Sequence, residues 1–203
     1  MMSEKGELYI NAGALVFASA EVRGYAHAAY SPASNLAVIT GVYGPDFGPP
    51  AFKGALGFYT AGQKSGKKHA TIWEIYTGIK IPLQNLYHQG PNIVTNRDLF
   101  FETTVGLKHT VYELGFTARL VNAQLPDPLS LTFFEPSLTF KIGYKWVKLI
   151  IFGGGSLLLD QSPQNYEDNY IYSPLYLSAG LQFDLLDAYA KDNSRNVAES
   201  KAF

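Results

Sequence analysis

Residues 99–120 read LFFETTVGLKHTVYELGFTARL. Leu99, Phe101, Thr103, Val105 and Leu107 alternate with Phe100, Glu102, Thr104, Gly106 and Lys108. After a short step, Tyr112, Leu114, Phe116, Ala118 and Leu120 alternate with Glu113, Gly115, Thr117 and Arg119. Side chains along a β-strand point to opposite faces in turn, so this stretch describes two strands, each with one greasy face and one face of charges among small residues. The pattern continues downstream, where Leu138, Phe140, Ile142 and Tyr144 alternate with Ser137, Thr139, Lys141 and Gly143. Which face lies inside decides what kind of protein this is.

Working outward from that stretch, period-two alternation bounded by turn residues predicts about ten strands. They fall near 7–17, 20–30, 36–43, 51–60, 70–81, 98–108, 111–122, 132–144, 146–157 and 171–185. Most prolines occupy the gaps, where a missing N–H harms no ladder; Pro136 and Pro174 fall inside predicted strands and imply an irregular start or a bulge there. The links alternate in length. Those at 30–35, 108–110 and 144–146 are tight and 61–69 is a Lys-rich turn of moderate length, whereas 44–50, 82–97, 122–130 and 159–169 are longer. In an up-and-down meander alternate links emerge at the same end, so the predicted barrel has a smooth end and a loopy end, the habit of outer-membrane barrels. An even strand count puts both termini at the short-turn end. Residues 1–185 are read as one barrel and 186–203, where the alternation stops, as a polar tail.

Composition narrows the class. A chain of 203 residues with sixteen basic and seventeen acidic side chains suits one domain and carries no field that would gather nucleic acid. There is no cysteine, hence no disulfide, thiolate metal site, thiol nucleophile or lipid-accepting Cys. Charged residues are 16 % of the chain, against roughly 25 % in soluble domains. No stretch reaches the roughly 18 apolar residues of a membrane helix; the greasiest, 149–159, is broken by Gly153, Gly154 and Gly155. Residues 1–7 lack the basic and then apolar regions of a signal peptide, so the export signal of a secreted protein is absent from this sequence.

Residue size chooses between the two faces. The polar parity carries Glu21, Arg23, Lys53, Glu74, Lys80, Glu102, Lys108, Glu113, Arg119, Glu135, Lys141 and Lys148, in both signs and spaced by Gly and Thr. The apolar parity carries side chains the size of Phe101, Phe116, Phe140 and Trp73. About ten strands enclose a narrow interior that such rings would overfill, whereas the mixed charges can pair within it. The greasy face is therefore expected to point outward, to lipid. Tyr30, Phe58, Trp73, Tyr112, Tyr144, Trp146 and Phe183 lie near short turns or the last strand end, as an aromatic girdle at the headgroups would.

Several stretches resemble a family of outer-membrane β-barrel proteins of Bacteroidetes that are largely uncharacterised and often lipoprotein-like. They are Ser-Glu-Lys-Gly-Glu-Leu (3–8), Ala-Glu-Val-Arg-Gly-Tyr-Ala-His-Ala-Ala-Tyr-Ser-Pro (20–32), Asn-Leu-Ala-Val (35–38) and Glu-Ile-Tyr-Thr-Gly (74–78). The resemblance implies an outer-membrane location and supplies no catalytic motif. Members of that family usually carry an export signal, often with a lipidated Cys, and this sequence has neither.

Motifs for chemistry are few. Gly-Gln-Lys-Ser-Gly-Lys-Lys (62–68) lacks the first glycine and the following helix of a phosphate loop, and 153–155 sits in a strand pattern. His27, His69, His88 and His109 are scattered, with no metal-ligand spacing. A lipid-modifying enzyme would need His27 or His88 beside a serine and a carboxylate. The expectation is thus a monomeric, all-β, antiparallel up-and-down transmembrane barrel with a plugged polar lumen, no catalytic residue, no metal and no cofactor. Its partners are the lipid bilayer and a protein met through loops 82–97, 122–130 and 159–169. The alternatives are a soluble barrel binding an apolar ligand, a lipid-modifying enzyme and a small-solute channel.

Overall fold

The alternating stretches become strands β1 (Leu8–Phe17), β2 (Val22–Ala33), β3 (Leu36–Tyr43), β4 (Ala51–Gln63), β5 (His69–Pro82), β6 (Arg97–His109), β7 (Tyr112–Gln124), β8 (Ser130–Tyr144), β9 (Val147–Gly155), β10 (Leu157–Leu158) and β11 (Leu175–Asp184). These bounds come from a computed structural model, which describes residues 1–2, 5–17, 22–44, 50–63, 69–82, 97–124, 130–144, 146–159 and 175–185. No helical element occurs among the described residues.

Every strand pairs antiparallel with its sequence neighbours from β1 to β9. β11 then closes the ring, lying between β9, with Leu181 opposite Leu149, and β1, with Ala179 opposite Ala14. The two residues of β10 continue the β9 ladder in the same register, Leu157 opposite Phe134 where Ser137 faces Gly154. The result is a closed ten-stranded up-and-down barrel. Closure removes the exposed edges that an open sheet would leave for aggregation.

The two ends differ as the link lengths predict. Residues 34–35, 64–68, 110–111 and 145–146 join strands at one end, where β1 begins and β11 ends. The other end carries 18–21, 44–50, 83–96, 125–129 and 159–174. At the first tight turn β2 runs on to Ala33, leaving only residues 34–35, with Asn35 in the left-handed region at φ 69°. Asparagine tolerates that conformation better than most residues.

Proline placement departs from expectation. Pro136 makes no bulge: β8 keeps its register with β7 straight through it, Ala118 opposite Pro136. Instead the ladder toward β9 and β10 lapses between Ser137 and Phe134, because proline has no N–H to give. The register shift lies elsewhere, between Tyr30 and Ala33 in the β2–β3 hairpin. Pro174 and the predicted start of the last strand at 171 lie outside the described residues.

The polar parity faces the lumen. Lys53, Glu74, Glu113, Lys141 and Lys148 are buried, and the large apolar side chains are on the outside, Phe116 at 50 % and Leu138 at 59 % exposure. A soluble barrel with an apolar lumen requires the opposite arrangement. Buried apolar residues within the barrel form one cluster, which runs from Met2, Tyr9, Ala29, Ala37 and Tyr59 on the short-turn side through Ala55 and Tyr76 to Phe100, Val121, Ala123, Leu131 and Phe133 on the long-loop side.

Candidate functional site

The lumen holds two ion-pair clusters. Toward the turn end, Glu113 on β7 takes Lys148 of β9 at 2.7 Å on one carboxylate oxygen and Lys141 of β8 at 3.3 Å on the other. Lys148 also reaches Asp184 of β11 at 2.9 Å, and Lys141 donates to Gln182 Oε1 at 2.8 Å. Gln182 in turn donates to Asp184. Met1 and Met2 lie in the same region: the Met1 amino group is 3.3 Å from Glu113, and the Met2 N–H donates to Glu74 Oε1. Lys108 pairs with Glu7 and donates to the Met1 carbonyl.

The second cluster sits nearer the long loops. Arg119 on β7 lies between Glu102 on β6 and Glu135 on β8, its Nε 2.9 Å from the first and its Nη1 3.1 Å from the second. Register explains the geometry, since Arg119 stands directly opposite each of them in its two ladders. Lys53 approaches Glu102 at 3.7 Å and lies 4.5 Å from the centre of the Phe100 ring. Ser156 donates to Glu135 at 3.3 Å. Isolated charges would be costly to bury, and in both clusters each is answered by an opposite charge or a hydrogen bond.

Most of the predicted lumen residues thus meet in one of two places, with Glu74 held by Met2. Lys80 faces the lumen but is 39 % exposed near the rim, where it pairs with Asp98 at 2.8 Å. Arg23 lies over the Phe17 ring, 5.1 Å from its centre. Glu21 falls outside the described residues. His27 points into the lumen between Tyr25 and Tyr43, with ring centroids 5.2 and 5.0 Å away. Its Nε2 has no hydrogen-bond partner among the described residues, so no serine or carboxylate engages it there. His88 lies outside the described residues, whereas His109 stacks on Tyr112 at a tight turn.

Of the predicted interface aromatics, Tyr30, Phe58, Trp73, Tyr112, Tyr144 and Trp146 are exposed on the outer wall or its turns. Phe183 is only half-exposed, although it shares the outward parity of Leu181. The Trp73 indole donates to Thr103 Oγ1 at 2.9 Å on that outer wall, which satisfies the indole N–H without water. Loops 82–97, 122–130 and 159–169 lie largely outside the described residues.

What charge patterning misses is the tyrosines. Tyr9, Tyr25, Tyr43, Tyr76 and Tyr176 line a lumen cavity of about 180 Å³ together with Asn11, His27 and both ion clusters. The signal that finds them is parity: Tyr76 is two residues from Glu74 and Tyr25 two from Arg23, so each shares its neighbour's inward face. Close packing of these rings requires glycine opposite. A methyl at Gly41 would collide with the His27 ring, and one at Gly57 with Tyr76.

Comparison of the chain with models of protein families and with curated proteins yields no match.

Proposed function

We propose that this protein is an outer-membrane β-barrel with a structural or interaction role, its lumen plugged and its longer loops, 82–97, 122–130 and 159–169, serving as the contact surface. The observation that carries the reading is the outer wall. Ile10, Val38, Leu56, Phe101, Phe116, Phe140, Ile142, Leu149 and Leu181 are all exposed and share the outward parity around the ring. Soluble monomers rarely expose contiguous apolar patches beyond a few hundred Å². A hydrocarbon environment removes that conflict, and strands of about ten residues suit a tilted crossing of it. The resemblance to Bacteroidetes outer-membrane barrels points the same way. The ion pairs that span the lumen support a plug over a small-solute channel.

Detergent dependence tests the reading. Purified protein should stay folded and monodisperse in micelles and aggregate when the detergent is removed. A folded, monodisperse monomer in plain buffer, measured by sedimentation and far-ultraviolet circular dichroism, would refute it.

A further inference from the structure

Three buried side-chain atoms of the lumen have no hydrogen-bond partner among the described residues: Asn11 Oδ1, His27 Nε2 and Tyr76 Oη. Asn11 and His27 are directly opposed in the β1–β2 ladder, and Tyr76 comes from β5. All three line the same cavity of about 180 Å³. A buried polar atom left unpaired costs roughly 1–3 kcal/mol, so three of them around one cavity call for a shared occupant.

The walls define its chemistry. Lys53, Glu102, Arg119, Glu113 and Lys141 also border the cavity, but each is already paired, so no uncompensated charge awaits an ion. Asn11 Oδ1 only accepts, so the occupant must donate to it, while the Tyr76 hydroxyl and His27 Nε2 can each take either role and suit an occupant that donates and accepts. Size then decides. The cavity is smaller than the roughly 300 Å³ at which organic-ligand pockets begin. At roughly 30 Å³ per molecule, 180 Å³ holds about six waters.

We propose that this cavity is a built water site, holding a cluster of about six internal waters anchored on Asn11, His27 and Tyr76. The waters extend hydrogen bonding from the β1–β2 wall to the ion pairs at Glu113 and at Arg119. Hydration then joins the two clusters, which share no direct bond with each other among the described contacts. The barrel is plugged to solutes yet wet at its centre. This holds whether or not a membrane surrounds the outer wall.

A crystal structure of the full chain in detergent, at a resolution that shows water, tests the site. The expected result is a connected set of water oxygens, with one within about 2.7–3.2 Å of each of the three atoms. The double substitution Asn11→Leu and His27→Phe should reduce the set to about three waters or fewer, since two of its three anchors are gone. Should that variant fail to fold, cross-relaxation between water and the His27 ring protons in the unmodified protein gives a second readout. A dry cavity, an organic molecule in it, an unchanged water set in the double variant, or a His27 ring with no water contact in solution would each overturn the proposal.

Discussion

Glu113 Oε1 lies 2.7 Å from Lys148 Nζ while Glu113 Oε2 lies 3.3 Å from Lys141 Nζ, so one acid on β7 answers the bases of the next two strands. Its side chain is 1 % exposed. Glu113→Gln takes the counter-charge from Lys141 and from the Met1 amino group, leaves Lys148 with Asp184 alone, and should cost about 3–5 kcal/mol. Asp98→Asn, which breaks the rim pair with the partly exposed Lys80, should cost only about 0–1 kcal/mol. Denaturant unfolding of both variants in micelles checks the contrast; equal losses would mean that the Glu113 cluster contributes no more than a rim pair.

Arg119 holds two carboxylates with two different nitrogens, Nε to Glu102 and Nη1 to Glu135. A lysine keeps the charge but offers one nitrogen on a flexible stem, so it satisfies one acid at a time. Arg119→Lys should therefore destabilise the barrel by about 1–2 kcal/mol, within the range for hydrogen bonds to charged groups and reduced by the site's partial exposure. The lost bond also leaves β6 or β8 less firmly tied to β7. Amide exchange should rise in one of those two strands first, which hydrogen-exchange measurements resolve.

Much of this was legible in the sequence because closure of a barrel leaves each strand only two faces. Alternation at 99–120 placed Glu102, Glu113 and Arg119 together on one of them, and residue size assigned that face to the interior. The pairing of Arg119 with Glu102 and Glu135 was not legible, since it depends on register, which the turns set to the residue. Tyr76 and Tyr176 escaped notice because a phenol is apolar along its body and polar at its tip, and so fits either face. Pro136 departs from the sequence expectation for a related reason. A proline interrupts only the ladder toward which its N–H would have pointed, and sequence does not say which side that is.

Phe101 on β6 is 48 % exposed on the outer wall, far from either end of its strand. Arginine at such a position would meet hydrocarbon if the barrel spans a bilayer. Phe101→Arg should then cost about 2–4 kcal/mol in lipid vesicles. In water the same change would be close to neutral or would improve solubility. Folding titrations in vesicles measure the difference, and a neutral result there would count against the membrane reading.

Gly41 sits beneath the His27 ring, which occupies the space where a side chain would begin. Gly41→Ala forces the imidazole toward Tyr25 or Tyr43, and overpacking of this kind costs about 1–3 kcal/mol. The His27 ring resonances should shift and the midpoint of unfolding should fall. Unchanged resonances would show that the ring does not rest on Gly41.

Ion flow through the lumen would have to pass the Arg119 fork, which reaches from Glu102 to Glu135, and then the buried group of Phe100, Val121, Leu131 and Phe133. Both obstacles are packed side chains tied to the wall, so thermal motion alone should not clear them. In planar bilayers the unmodified protein should give no steady porin-scale current. Combining Phe100→Ala with Arg119→Ala removes the ring from the apolar group and the guanidinium from the fork, and brief openings should appear. Arg119→Lys alone should leave the bilayer silent, because it loosens the fork without emptying it. Steady current through the unmodified protein would mean that the lumen is a conduit, and the charges along it would then line a path instead of filling one.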